Sequence, residues 1–261
     1  MPLVILFSFV VNINAFNLAA FGSTQDQKAI AFSQYDRGVF RCGNAYRIVF
    51  VRTFIKNSDY CKLGGLDRDA KILLIGNSHA DSIKEVVTSA AISNRFQVFL
   101  SQENMMLNSS NIDLYLKVID SLNPRVVVLH TRVGTYDFKS LEILTSYCKF
   151  RGIKILVIQS TPEFADSVPF ELLKAKRAVL PMENYTIKAL AAEDVYFIKQ
   201  EKYSNLNYVR TDDLFCDNDK LQCRILDVIS KRPYYFDSNH LTLSGAKLIE
   251  ERLRNAFSLV S

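Results

Sequence analysis

Ser78, Asp237 and His240 are the residues whose types and spacing could do chemistry in this chain. Ser78 stands in Ile75-Gly76-Asn77-Ser78-His79, where the apolar run Ile72 to Ile75 stops at a glycine and a helix-like pattern begins. A serine just past the carboxyl end of a buried strand, with a helix N-terminus behind it, can attack a carbonyl. Its own N–H and neighbouring N–H groups can then hold the developing oxyanion. The stretch also has a plainer reading, because Ser and Asn are ordinary helix N-caps and Gly76 lets the backbone turn. Asp237 and His240 are three residues apart. On a helical turn such residues share a face. The carboxylate would accept from one imidazole nitrogen and leave the other as a general base. The plainer reading makes Asp237 a cap of the last helix and His240 a surface residue. Of the other histidines, His79 would have to fold back sharply to serve Ser78, and His130 ends a strand with no carboxylate near it in sequence.

Alternating elements must position these residues. Continuous apolar runs predict strands at Ile72 to Ile75, Phe96 to Leu100, Val126 to Leu129 and Ile153 to Ile158, with a weaker one at Val195 to Ile198. Helical patterns cover Asp81 to Ser93, Ile112 to Leu122, Phe138 to Phe150, Pro169 to Ala192 and Leu243 to Phe257. Pro124 and Gly152 punctuate two helix-to-strand joins. Apolar strands alternating with helices mean a mainly parallel sheet covered on both faces, an α/β/α sandwich with its site at the carboxyl ends of the strands. Residues 22–65 lack this rhythm and read as an irregular leader, with the main domain at 66–261.

Composition bounds the partners. The chain has 261 residues, 49% of them hydrophobic, and a formal charge of +5. Its Lys and Arg are scattered rather than clustered, so the charge reads as solvated surface and not as a nucleic-acid footprint. Residues 1–21 open with the ten-residue apolar run PLVILFSFVV. That is short for a membrane span and carries no preceding basic residue. A signal peptide, the remnant of a membrane helix and a buried strand all remain open. Cys216 and Cys223 bound the polar loop DNDKLQ, which a disulfide would order, and Cys42 and Cys61 form a second candidate pair. Five unrelated reduced cysteines are the alternative. Two disulfides with the apolar N-terminus would place the domain outside the cytoplasm. Cysteine and histidine spacing fits no zinc site, and neither metal nor cofactor is expected.

The words IGNSHAD and DSNHLTLSGA, at opposite ends of an α/β domain, resemble the SGNH (GDSL-like) hydrolase family. More narrowly they resemble SGNH domains fused to acyltransferase-3 membrane proteins, which open with a strand and GDSHA and close with D-x-x-H-L-S before Gly-Ala. The resemblance covers roughly residues 66–257. It implies Ser78 as nucleophile, His240 as base and acid, and Asp237 as its orienter. It implies O-acyl transfer, acetyl foremost, to a cell-surface polysaccharide, with the acyl group delivered by a membrane acyltransferase domain that may be encoded upstream. That chemistry belongs on the periplasmic side of a membrane. A secreted carbohydrate esterase and a non-catalytic glycan-binding relic are the alternatives. Asn77 departs from the usual Asp, and the G-x-N-D block is replaced by LHTRVGTYD. There Arg132 matches the family's Arg, so Asn77 and Arg132 are carried as candidate oxyanion or substrate-pocket residues.

Overall fold

A computed structural model describes residues 32–38, 60–67, 69–101, 106–175, 178–198, 203–217 and 221–261. Five strands lie parallel: β2 (Ala70–Ile75), β3 (Phe96–Ser101), β4 (Val126–Leu129), β5 (Lys154–Ile158) and β7 (Leu206–Val209). β1 (Tyr60–Gly64) adds an antiparallel edge, and the order across the sheet is β1-β3-β2-β4-β5-β7. β2 is therefore central, as an open α/β sheet needs if its first βα turn is to carry the site.

Alternation within the strands explains why they read as unbroken apolar runs. Ile72, Leu74, Val126, Val128, Leu156 and Ile158 face one layer, with α1 (Ser78–Ser93) and α8 (Glu250–Val260). Leu73, Ile75, Val127, Leu129, Ile155 and Val157 face the other, with α2 (Ile112–Leu122) and α3 (Phe138–Phe150). Both faces are covered, so the runs are apolar but for the buried Gln97 of β3. The result is the expected three-layer sandwich.

Three departures from the sequence reading have physical causes. Tyr60–Gly64, assigned to the irregular leader, joins the sheet. It is a half-buried edge strand with a register shift between Lys62 and Gly64, and such a strand leaves no periodic signal. Val195 to Ile198 is not a strand but the last turn of α5 (Asn184–Ile198). Phe197 points inward there while Ile198 is 63% exposed, a pattern too short for periodicity to decide. The single helix expected from Pro169 to Ala192 is instead α4 (Val168–Ala175), β6 (Val179–Pro181) and the start of α5. β6 pairs with β9 (Gln222–Arg224), which also pairs with β8 (Cys216–Asp217), in a small second sheet. The remaining helices are α6 (Asp212–Phe215) and α7 (Leu243–Ala246).

Cys216 and Cys223 are bonded across that sheet, with Cα atoms 3.9 Å apart. Cys148 is a buried free thiol. Cys61 is engaged in a disulfide, and Cys42, its expected partner, lies outside the described residues. Residues 1–21 also lie outside them. Among the described residues no helix is long and apolar enough to cross a membrane.

Candidate active site

The turn from β2 into α1 is forced by close approach. A Cβ on Gly76 would sit 1.9 Å from the carbonyl oxygen of His130, so only glycine fits where β2 passes the end of β4. Asn77 then caps α1, its side-chain oxygen accepting from His79 N–H at 3.0 Å. The side-chain oxygen of Asn77, expected in the oxyanion or substrate pocket, is thus committed to the helix, while the side-chain N–H groups that an oxyanion would need are not engaged by that bond. Ser78 becomes the first helical residue. Its N–H has no acceptor within the helix and is offered at the positive end of the helix dipole.

The second stretch is a closed loop rather than the helical turn expected from i, i+3 spacing. Asp237 Oδ1 accepts from the backbone N–H groups of Asn239 (2.8 Å) and His240 (2.7 Å). Phe236 N–H donates to His240 O at 3.1 Å, and Tyr235 bridges Leu241. The chain closes so tightly behind it that a Cβ on Gly245 would meet Tyr234 O at 2.1 Å. Thr242 caps α7 by accepting from Gly245 N–H. The segment after β5 braces the loop from outside, with Phe164 N–H donating to Ser238 O and Val168 N–H to Asp237 O.

These two turns bring three distant side chains into one hydrogen-bonded line. His240 Nδ1 lies 2.7 Å from Asp237 Oδ2, and His240 Nε2 lies 2.7 Å from Ser78 Oγ. Burial pushes the Asp237 carboxyl up, but hydrogen bonds from His240 and the two backbone N–H groups outweigh it and hold the group below the usual carboxylate range. A carboxylate only accepts, so Nδ1 carries the proton and Nε2 is left to accept from the Ser78 hydroxyl. The imidazole is held between Phe236 (centroids 5.4 Å apart, planes 9° apart) and His79 (4.5 Å, 33°). His79 is buried, and burial followed by the nearby His240, His130 and Arg132 charges pushes its pKa well below the usual range. It therefore packs against His240 as a neutral ring. His130 is fully buried, its Nδ1 3.2 Å from Ile158 O, and burial lowers its pKa to about 4.

Ser78, His240 and Asp237 open onto a cleft of about 540 Å³ whose other walls are Arg37, Gly38, Asp81, Ser82 and Phe236. Arg132 is not part of that lining. Its Nε and Nη2 donate to the two carboxylate oxygens of Glu163 at 2.7 and 2.8 Å, and Tyr185 O–H donates to the same carboxylate. Arg132, expected as a pocket residue, has Nε and Nη2 committed to Glu163, while its side chain stays 49% exposed. Sequence reasoning missed Phe236 and Arg37. Phe236 could have been found, since it abuts Asp237, whereas Arg37 lies in the leader and is brought in by folding alone.

A family model described as SGNH domain (fused to AT3 domains) matches residues 41–255, most of the chain, and the chain belongs to that family. No curated protein matches the chain.

Proposed function

Starting from membership of a family of acyl esterases and acyl transferases, we propose that this domain transfers an acyl group through an ester of Ser78. The observation that carries the reading is the unbroken line from Asp237 through His240 to Ser78 Oγ, with both links at 2.7 Å and an open cleft beside it. His240 Nε2 takes the hydroxyl proton as Ser78 Oγ bonds to the acyl carbon. The oxyanion forms within reach of the Ser78 N–H. The intermediate collapses by expelling the donor oxygen, which takes the proton from His240. An acceptor hydroxyl then gives its proton to Nε2 and attacks the Ser78 ester; the acyl–Oγ bond breaks, Ser78 Oγ takes the proton back from His240, and the acceptor leaves with the acyl group. Asp237 fixes the tautomer and offsets the charge on the imidazolium.

In the finer reading the acyl group is acetyl and the acceptor is a hydroxyl of a cell-surface polysaccharide. The donor is an acylated carrier presented by a membrane acyltransferase domain, which places the reaction on the extracytoplasmic side. The bonded Cys216–Cys223 pair supports an oxidising compartment. A carbohydrate esterase would run the same steps with water as the acceptor.

The test is intact-protein mass spectrometry during turnover of 4-nitrophenyl acetate. A rapid nitrophenolate burst and an acetyl adduct on Ser78 are expected. Absence of adduct in the parent chain, or its persistence in Ser78→Ala, would remove the enzyme reading. Adding an oligosaccharide and following its acetylation then separates transferase from esterase.

A further inference from the structure

The leader segment carries into the cleft a charge that no carboxylate among the described residues neutralises. Asp36 is tied to the N-terminus of α7 twice, by Leu243 N–H to its carbonyl (2.7 Å) and by Ser244 N–H to its carboxylate (3.2 Å). Two residues on, Gly38 is seated against α1 so closely that a Cβ there would meet Glu85 Oε1 at 2.7 Å and Lys84 Nζ at 3.0 Å. Arg37 lies between these two anchors and lines the cleft with Ser78 and His240. Its guanidinium carbon sits 5.3 Å from the centroid of Phe236, the ring that stacks on His240.

The acids nearby are committed elsewhere. Asp81 is paired with buried Lys84 at 3.2 Å, and Asp237 with His240. Glu85 packs against Gly38 and forms no ion pair with Arg37, nor does any other carboxylate among the described residues. A guanidinium keeps its charge at every relevant pH. Its planar N–H fork matches two oxygens of a carboxylate or phosphate, and an aromatic platform limits how the plane can tilt. The fold thus holds a cation beside the cleft, with no counter-ion among the described residues.

We propose that Arg37 binds an anionic oxygen group, carboxylate or phosphate, on the saccharide that enters the Ser78 cleft, and so selects acidic over neutral substrates. The proposal rests on reading that cleft as the acyl-transfer site. Its test is a binding measurement, so the two can fail separately. The full chain carrying Ser78→Ala is titrated calorimetrically with glucuronate, glucose 6-phosphate and glucose. At least one anion should bind about tenfold or more tightly than glucose, and which one does identifies the source of the charge. Arg37→Ala should erase that preference, and Arg37→Lys should keep part of it because the charge survives without the fork. Unchanged thermal melting shows both variants folded. Equal binding of all three probes, or an anion preference that survives Arg37→Ala, would overturn the proposal. Either result would stand whether or not Ser78 forms an ester.

Discussion

Two acid–base pairs stand at the carboxyl edge of the sheet. His240 and Asp237 belong to one short loop, three residues apart, with side chains 20% and 40% exposed toward the cleft. Arg132 and Glu163 come from the segments after β4 and β5, 31 residues apart, and Glu163 is 1% exposed. The first pair contains an imidazole, whose second nitrogen can take a proton from Ser78. The second contains a guanidinium, which keeps its proton, and the hydrogen bonds it donates to Glu163 raise the Arg132 pKa further. One pair is arranged to pass charge to Ser78. The other pins two loops together behind it, with Tyr185 as a third member. Arg132 thus ties down Glu163, while Arg37, which lines the cleft, comes from the leader.

The comparison breaks most visibly at Ser78. Ser78→Ala should abolish the acyl-enzyme, a loss on the order of 10⁵-fold in turnover, because the line from Asp237 then ends on a methyl group. Its stability should fall by no more than about 1 kcal/mol, read by urea unfolding, because the N-cap is Asn77. Asp237→Asn keeps an oxygen for the N–H groups of Asn239 and His240, so the loop should persist. Turnover of 4-nitrophenyl acetate should still fall by up to about 10⁴-fold, since the amide favours the wrong imidazole tautomer.

A third carboxyl shows what a buried acid does without a cation. Glu193 in α5 is 2% exposed and accepts from Ser160 N–H at 3.2 Å. Burial, partly opposed by the Ser160 hydrogen bonds, raises its pKa from 4.5 to about 7. The folded chain therefore holds a proton that the unfolded chain releases between those values. The contribution is fully present below about 4.5 and is lost as the pH rises through about 7. Glu193→Gln should melt like the parent at low pH and be more stable at pH ~8, by on the order of 3 kcal/mol, in thermal scans at both. The smallest effect belongs to the clamp. Arg132→Ala leaves Glu163 with Tyr185 alone and should cost roughly 1–3 kcal/mol by urea unfolding. Turnover of a small ester should fall less than about tenfold. A loss matching that of Asp237→Asn would show that Arg132 acts on the reacting groups after all.

Much of this was legible beforehand. β2 through β5 could be read because each has a central run buried on both faces, where the residues are apolar except for Gln97 in β3. β7, with the sequence LNYV, could not be read, since its first three residues are only half buried. β1 was hidden for the same reason, as a half-buried edge strand. Ser78, Asp237 and His240 were legible as two short words, although the second word closes as a carboxylate-centred turn instead of a helix. Spacing alone does not separate these, because both geometries bring i and i+3 together.

The sequence by itself determined the alternating α/β order, the glycine where β2 must pass His130, and the residue types able to attack, shuttle a proton and orient. Those are local matters of periodicity, Cβ sterics and side-chain chemistry. The tertiary structure alone decided which charges face the cleft. Arg132 was joined to Glu163, and Arg37 was carried in from the leader by Asp36 and Gly38. A charge's role depends on what lies within a few ångströms of it in space, and Arg37 and Phe236, Arg132 and Glu163, and Ser78 and His240 become neighbours only once the chain has folded.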